Sequence, residues 1–495
     1  MTPSPDDSPI VNTTAAQRAW PPDDDADTNV TPTVPDRHPR DERADRTWQI
    51  LGAVIGAHMD ELAATGLLDE ASATTAADGL AQVIAGDDFP AALTDQLAIL
   101  DERLDRAVSL ELAAAVRVAR SPFDTGSAVL RIVARDLTDD FDRAVVAWEI
   151  AVLDLAQAHV VTLMPLTADA ATVQPTTVAH WLGPVIGATA RGRTALAAAR
   201  AETNRSPLGA GAGAGVGFEI DRAALARRLD FDGPVDNTLD AVVSVDWLVA
   251  IGQAASRLIQ PAVMLLDELL IWRRTDPQAI RLDDQRQGNA AGIPQWSGAT
   301  GLVETLATVR AALRMAETLS EVAHHQPYAP SLARLDDFAG RIQRTLIAAT
   351  EALAACRELI ATVDINRAYL ANRAGRAFST SSDLAIFLML EEQIDPSSAE
   401  RIAAMTVARA REQGVEASGI TQDLIDAAAL LVLGRELKVE FEAISRYLAP
   451  RRFVERRALQ GGPAPAETRA YLDRARKQVR RSVFDARRDG GDGSP

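Results

Sequence analysis

Ser206-Pro-Leu-Gly-Ala-Gly-Ala212, with Phe218, Ile220, Asp221 and Arg222 just after it and Asn237-Thr-Leu-Asp-Ala241 beyond, is the stretch on which the fold turns. Its glycines carry no Cβ, so backbones can pass close to one another and leave a pocket between helices. The run stays Gly-rich as far as Gly217. A phosphate-cradling loop of that composition needs a strand directly before it, and none is read there.

The flanks read as helix. In 124–163, Val145, Trp148, Val152, Leu155 and His159 recur every three or four residues, as one buried helical face requires. A second long helix is expected over 239–272, with a kink at Pro261, where one backbone donor is missing. Two more are read over 301–322 and 332–363, and shorter helices over 47–121. No β-alternation of useful length and no internal repeat is evident. The fold class is therefore all-α, a bundle of long helices.

Composition narrows the function classes. The 495 residues carry a formal charge of −18, which argues against a general nucleic-acid binder. Cys356 is the single cysteine, so intrachain disulfides and Cys-rich metal sites are excluded and a reducing cytoplasm fits. The start of the chain lacks a basic segment followed by an apolar one, so no signal peptide is read. The apolar stretch 247–272 contains Arg257, Asp267 and Glu268, which suits a buried bundle helix better than a membrane span. Residues 1–45 hold eight prolines and ten acids and are expected to be a disordered acidic tail. Beyond it we expect an N-terminal helical domain over 46–124, the central bundle over 125–375, a C-terminal helical domain over 376–480 and a flexible tail over 481–495.

Further motifs stand on either side. Ala57-His58 leads to Gly66-Leu-Leu68, and Phe378-Ser-Thr-Ser-Ser-Asp-Leu-Ala385 is followed by Arg452-Phe-Val-Glu-Arg-Arg457 and Gly461-Gly-Pro-Ala-Pro-Ala-Glu-Thr-Arg469. In order with the 206–241 stretch, these resemble the argininosuccinate lyase family of the aspartase/fumarase superfamily, and the similarity spans residues 46–480. The C-terminal motifs separate this branch from fumarases and adenylosuccinate lyases. The resemblance implies an aspartase/fumarase-type long-helix bundle with smaller helical N- and C-terminal domains. It also implies a homotetramer whose active sites each collect three segments from three subunits. The reaction it implies is anti β-elimination, releasing fumarate from a succinyl-substituted amine.

The chemical groups of that family are largely replaced. Its GRSRNDQ segment corresponds here to Arg120-Ser121-Pro122-Phe123-Asp124-Thr125. Ser121, Phe123, Asp124 and Thr125 are substrate-binding candidates, but Pro122 and Phe123 stand where the family binds carboxylates with Arg and Asn. An apolar pair cannot neutralise a carboxylate, and burying one unpaired costs roughly several kcal/mol. In the second segment, aligned on Gln174-Pro175, Asp169 falls where the family has its acid/base His. Asp169 is thus the candidate general base or acid, or else a turn or cap residue. Gln174 is a binding candidate, and His180 is read as a packed structural histidine. In the third segment, 288–298, Ala290 and Ala291 replace the serines, and Trp296, a binding candidate that would favour a less charged or aromatic ligand, replaces the Lys. Ser297 is a candidate nucleophile or a polar loop residue, and Glu304 falls one position past the family's His-orienting Glu. In the opening helix His58 is kept as a binding candidate, while Leu51 and Ile55 replace an Asp and a Ser.

Two readings follow. One is a repurposed lyase acting on a small, less charged substrate by elimination or related proton transfer, not by ordinary argininosuccinate cleavage. The other is a non-catalytic tetrameric binding or scaffold protein, or a pseudo-subunit mixed with an active paralogue. Neither calls for a cofactor, a metal, nucleic acid or a membrane; the expected partner is a small-molecule ligand.

Overall fold

The computed structural model describes residues 42–169, 171–282, 300–323 and 327–489. Four helices come first among the described residues: α1 (Glu42–Ala64), α2 (Glu70–Ile84), α3 (Leu93–Ala107) and α4 (Leu110–Val116). The body consists of α5 (Pro122–Ala158), α6 (Val178–Thr203), α9 (Asp246–Thr275), α10 (Thr300–Leu319) and α11 (Leu332–Ala361), with short α7 (Arg222–Arg228) and α8 (Thr238–Val243) between α6 and α9. Each long helix packs on the next, and α11 closes the ring against α5. The protein is all-α, as its sequence implies.

Helices α5, α9 and α11 run one way and α6 and α10 return. Gly126 near the start of α5 meets Leu335 near the start of α11, where an added Cβ would lie 2.5 Å from the leucine. Gly252, early in α9, abuts Ala316 and Leu319 at the end of α10. The bundle thus has a near end, where α5, α9 and α11 begin, and a far end, where they finish. Pro261 lies inside α9 and has no N–H for the carbonyl of Arg257 four residues before it. Gly192 of α6 comes close to that carbonyl and to Leu258, where a Cβ would fall 2.6 Å from the leucine.

Two elements differ from the sequence reading. The stretch 239–272 is two helices, because Ser244 and Val245 leave helical geometry between α8 and α9. A β-hairpin also stands at the far end, β1 (Leu163–Ala168) paired antiparallel with β2 (Ala171–Thr177). Its alternation is masked in sequence because Pro165 and Pro175 face each other in register. A two-stranded ribbon has two free edges, where a missing N–H is tolerated. A second short pairing joins β3 (Ile280–Arg281) to β4 (Asp364–Ile365).

After α12 (Arg367–Ala374), helices α13 (Ser382–Leu390), α14 (Pro396–Glu412), α15 (Gln422–Leu433), α16 (Phe441–Tyr447) and α17 (Pro450–Arg456) follow. A separate apolar core forms here around Leu384, Ile402, Ile425 and Ile444. Asp383, 1% exposed, is held by Arg457 at 2.8 Å and by Arg456, which explains the pairing of the two C-terminal motifs. Helix α18 (Pro465–Asp489) then returns to the bundle, burying Leu472, Ala475 and Val479 in its core.

Candidate active site

The near end is built around Asp124. Ser121 caps α5 by accepting the Phe123 N–H, and Asp124 closes a capping box by accepting the Ser121 N–H at 3.0 Å. The second carboxylate oxygen of Asp124 accepts the Gly211 N–H at 2.8 Å, so the 206–212 loop is clipped onto the start of α5. Gly211 is left-handed there (φ +59°), and a Cβ would lie 2.9 Å from the Gly215 carbonyl. Burial pushes the Asp124 carboxyl up to about 6, against the pull of its backbone donors and of Arg120.

The residues after the loop are also ties. Asp221 caps α7 through the N–H groups of Ala223 and Ala224, and its own N–H donates to Glu61 of α1 at 3.0 Å. Arg222 donates to the Leu208 carbonyl at 2.9 Å, and Asn237 caps α8. His58 is buried and donates to the Val118 carbonyl at 2.9 Å. Burial lowers its pKa to about 4, so the ring is neutral at pH 7 and straps α1 to the end of α4.

Beside Ser121 and Thr125 lies a cleft of about 300 Å3, walled also by Thr94, Leu97 and Asp101 of α3, Arg117, Arg120, Pro122 and Leu332. Both of its arginines are neutralised, Arg120 by Asp101 and Arg117 by Asp105 at 2.7 Å. The α3 wall belongs to no motif. Its only trace in sequence is the i, i+3, i+7 spacing of Thr94, Leu97 and Asp101, which puts them on one helical face.

The far end holds the other candidates. Asp169 sits at the exposed tip of the hairpin in left-handed conformation (φ +49°), a geometry that aspartate tolerates better than most residues. Gln174 is half-buried on β2 opposite Leu166. His180 packs as a strap: its ring bonds the Thr176 hydroxyl at 2.9 Å and the Gly461 carbonyl at 3.2 Å, joining α6 to the C-terminal motif. Trp181 stacks on Trp272 at 4.6 Å between centroids. Glu304 is exposed in the second turn of α10. Trp296 and Ser297 lie outside the described residues.

The two groups do not meet within the chain. Ser121, Phe123, Asp124 and Thr125 begin α5, and the hairpin follows its end. At about 1.5 Å per residue, a helix of 37 residues holds them ~55 Å apart. Among the described residues, no group of three or more His, Cys, Asp or Glu side chains could hold a metal ion. Helix α9 is long and apolar enough to cross a membrane, but 61% of its most apolar window is buried inside the bundle.

The bundle of long helices is the fold of solved lyases of the fumarase superfamily. A class II fumarase from Schistosoma mansoni shares the fold, with a TM-score of 0.66 over 82% of this chain and 90% of its own at 12% identity. Residues 47–272 match the family model described as Lyase. Within that class the chain is a homologue of argininosuccinate lyase. It is 27% identical to the argininosuccinate lyase of Methanoculleus marisnigri over 435 residues, 86% of each chain. EDDS lyase in complex with formate superposes with a TM-score of 0.77 at 25% identity, over 90% of this chain and 89% of that one. A variant of EDDS lyase with bound fumarate matches equally well.

Proposed function

We propose that the protein is a repurposed lyase that eliminates, or adds, a group across a small substrate less charged than argininosuccinate. The observation that carries this reading is the cleft beside Ser121 and Thr125. Its two guanidinium groups are already paired with aspartates, and Leu97, Pro122 and Leu332 supply much of the rest. A dianionic substrate gains little there, whereas a partly apolar one loses little on leaving water.

In this reading Asp169 supplies or accepts the proton. Its site is completed between copies of the chain, because the hairpin tip of one copy is exposed and the α5 start lies one helix length away. The assembly is a homotetramer. Met264 and Ile271, 62% and 51% exposed on α9, give the bundle an apolar strip to cover. A reducing cytoplasm suits the single buried thiol of Cys356.

The test follows fumarate. Purified protein is incubated with argininosuccinate, and separately with fumarate and a panel of amines of decreasing charge. We expect no fumarate release from argininosuccinate at an ordinary rate, and fumarate consumption with a weakly charged amine. Release from argininosuccinate at roughly several turnovers per second would overturn the reading. Inactivity with every amine, together with a stable protein partner, favours the scaffold alternative, for which Pro122 and Phe123 at the family's carboxylate-binding positions are the supporting observation.

A further inference from the structure

A second, smaller cavity of about 20 Å3 lies at the near end. Ser127 and Arg131 of α5, Ser244 and Trp247 at the α8–α9 link, and Ser331 and Arg334 at the start of α11 contribute to its lining. Arg131 is 3% exposed. It donates to the carbonyls of Glu202 and Thr203 at 3.1 and 3.4 Å and to the Ser244 hydroxyl at 3.2 Å, and it lies over the Trp247 ring at 4.7 Å. These partners are all neutral. Asp246 and Asp240 favour its charge from a distance, yet burial still lowers its pKa to about 10. A guanidinium buried on neutral partners is costly, and an anion in contact with it offsets that cost.

The hydroxyls are placed to help. Ser331 precedes the first turn of α11, but its side chain caps no helical N–H. Ser244 accepts from Arg131 and keeps its own O–H to donate. Arg334 also contributes to the wall and donates to the Pro327 carbonyl at 3.3 Å. The space is too small for a substrate with its carbon chain and suits a small inorganic anion.

We propose that this cavity binds one small inorganic anion, chloride under ordinary conditions, held by Arg131, Ser244 and Ser331. The ion clamps the starts of α5, α9 and α11 together. It also bears on the larger cleft, because Leu332, next to Ser331, lines that cleft opposite Ser121 and Thr125.

The test melts the full chain in sodium chloride, sodium bromide and sodium gluconate at matched ionic strength. Crystals grown in bromide are then measured at the bromine edge. We expect a saturable rise in Tm of about 1–2 °C in the halides over gluconate. That difference should vanish in Ser331→Ala, which keeps Arg131 and the fold. An anomalous peak should lie within contact of Arg131. Superimposable melting curves in all three salts, or a bromide-grown crystal with no anomalous peak in the cavity, would overturn the proposal and leave the cavity to water. Neither result bears on the fumarate assay.

Discussion

The carboxylate of Asp124 accepts the backbone N–H of Gly211 at 2.8 Å and that of Ser121 at 3.0 Å, so one side chain fastens the glycine-rich loop to the first turn of the longest helix. Both oxygens are spent on donors. Asparagine offers a single acceptor, and its amide would face one of these N–H groups. Asp124→Asn is expected to cost ~1–3 kcal/mol by denaturant melts. An unchanged midpoint would mean that the loop is held by other ties.

Glu149, in the last third of α5, is 2% exposed and has one oxygen with no hydrogen-bond partner. Arg193 lies 3.6 Å away but also pairs with Asp142 at 3.1 Å, so two carboxylates compete for one guanidinium. Burial, ahead of these charges, pushes Glu149 from 4.5 up to about 7. The folded state therefore holds this proton more tightly than the unfolded chain. The stability linked to it is fully present below pH 4.5 and is lost as pH rises through about 7. Glu149→Gln should raise stability at pH 8 by ~1–3 kcal/mol and leave it nearly unchanged at pH 4. Equal effects at both pH values would refute the linkage.

Asp169→Asn removes a proton acceptor while keeping a residue that tolerates the left-handed turn. With a competent amine in hand, fumarate turnover should fall roughly 100-fold or more. Because the tip is exposed, Tm should stay within ~1 °C of the parent. A variant with full activity removes Asp169 from the chemistry.

The bundle was legible because its signals are local. Apolar residues recur at helical spacing, and the 206–241 motif consists of caps and ties, Asp221, Arg222 and Asn237, whose partners the fold requires. The hairpin was not legible, since facing prolines at 165 and 175 break the strand pattern. Nor were the break at Ser244 and the α3 wall of the cleft, which depend on packing between distant segments. His180 is half-buried and tied at both ring nitrogens, yet its partner Gly461 lies 281 positions away and no periodicity points to it.

The account rests most heavily on the meeting of the α5 start of one copy with the hairpin tip of another. Its direct test is a double variant, Phe123→Cys with Asp169→Cys, treated with a short bismaleimide and run on a denaturing gel. Cys356 does not interfere, being buried with its thiol pushed up to about 12. The two new thiols of one chain are held ~55 Å apart, beyond the reagent's reach. The account predicts a ladder of covalently joined chains that each single variant fails to give. Chains that remain monomeric on the gel, from protein that also scatters light as a monomer, would contradict it.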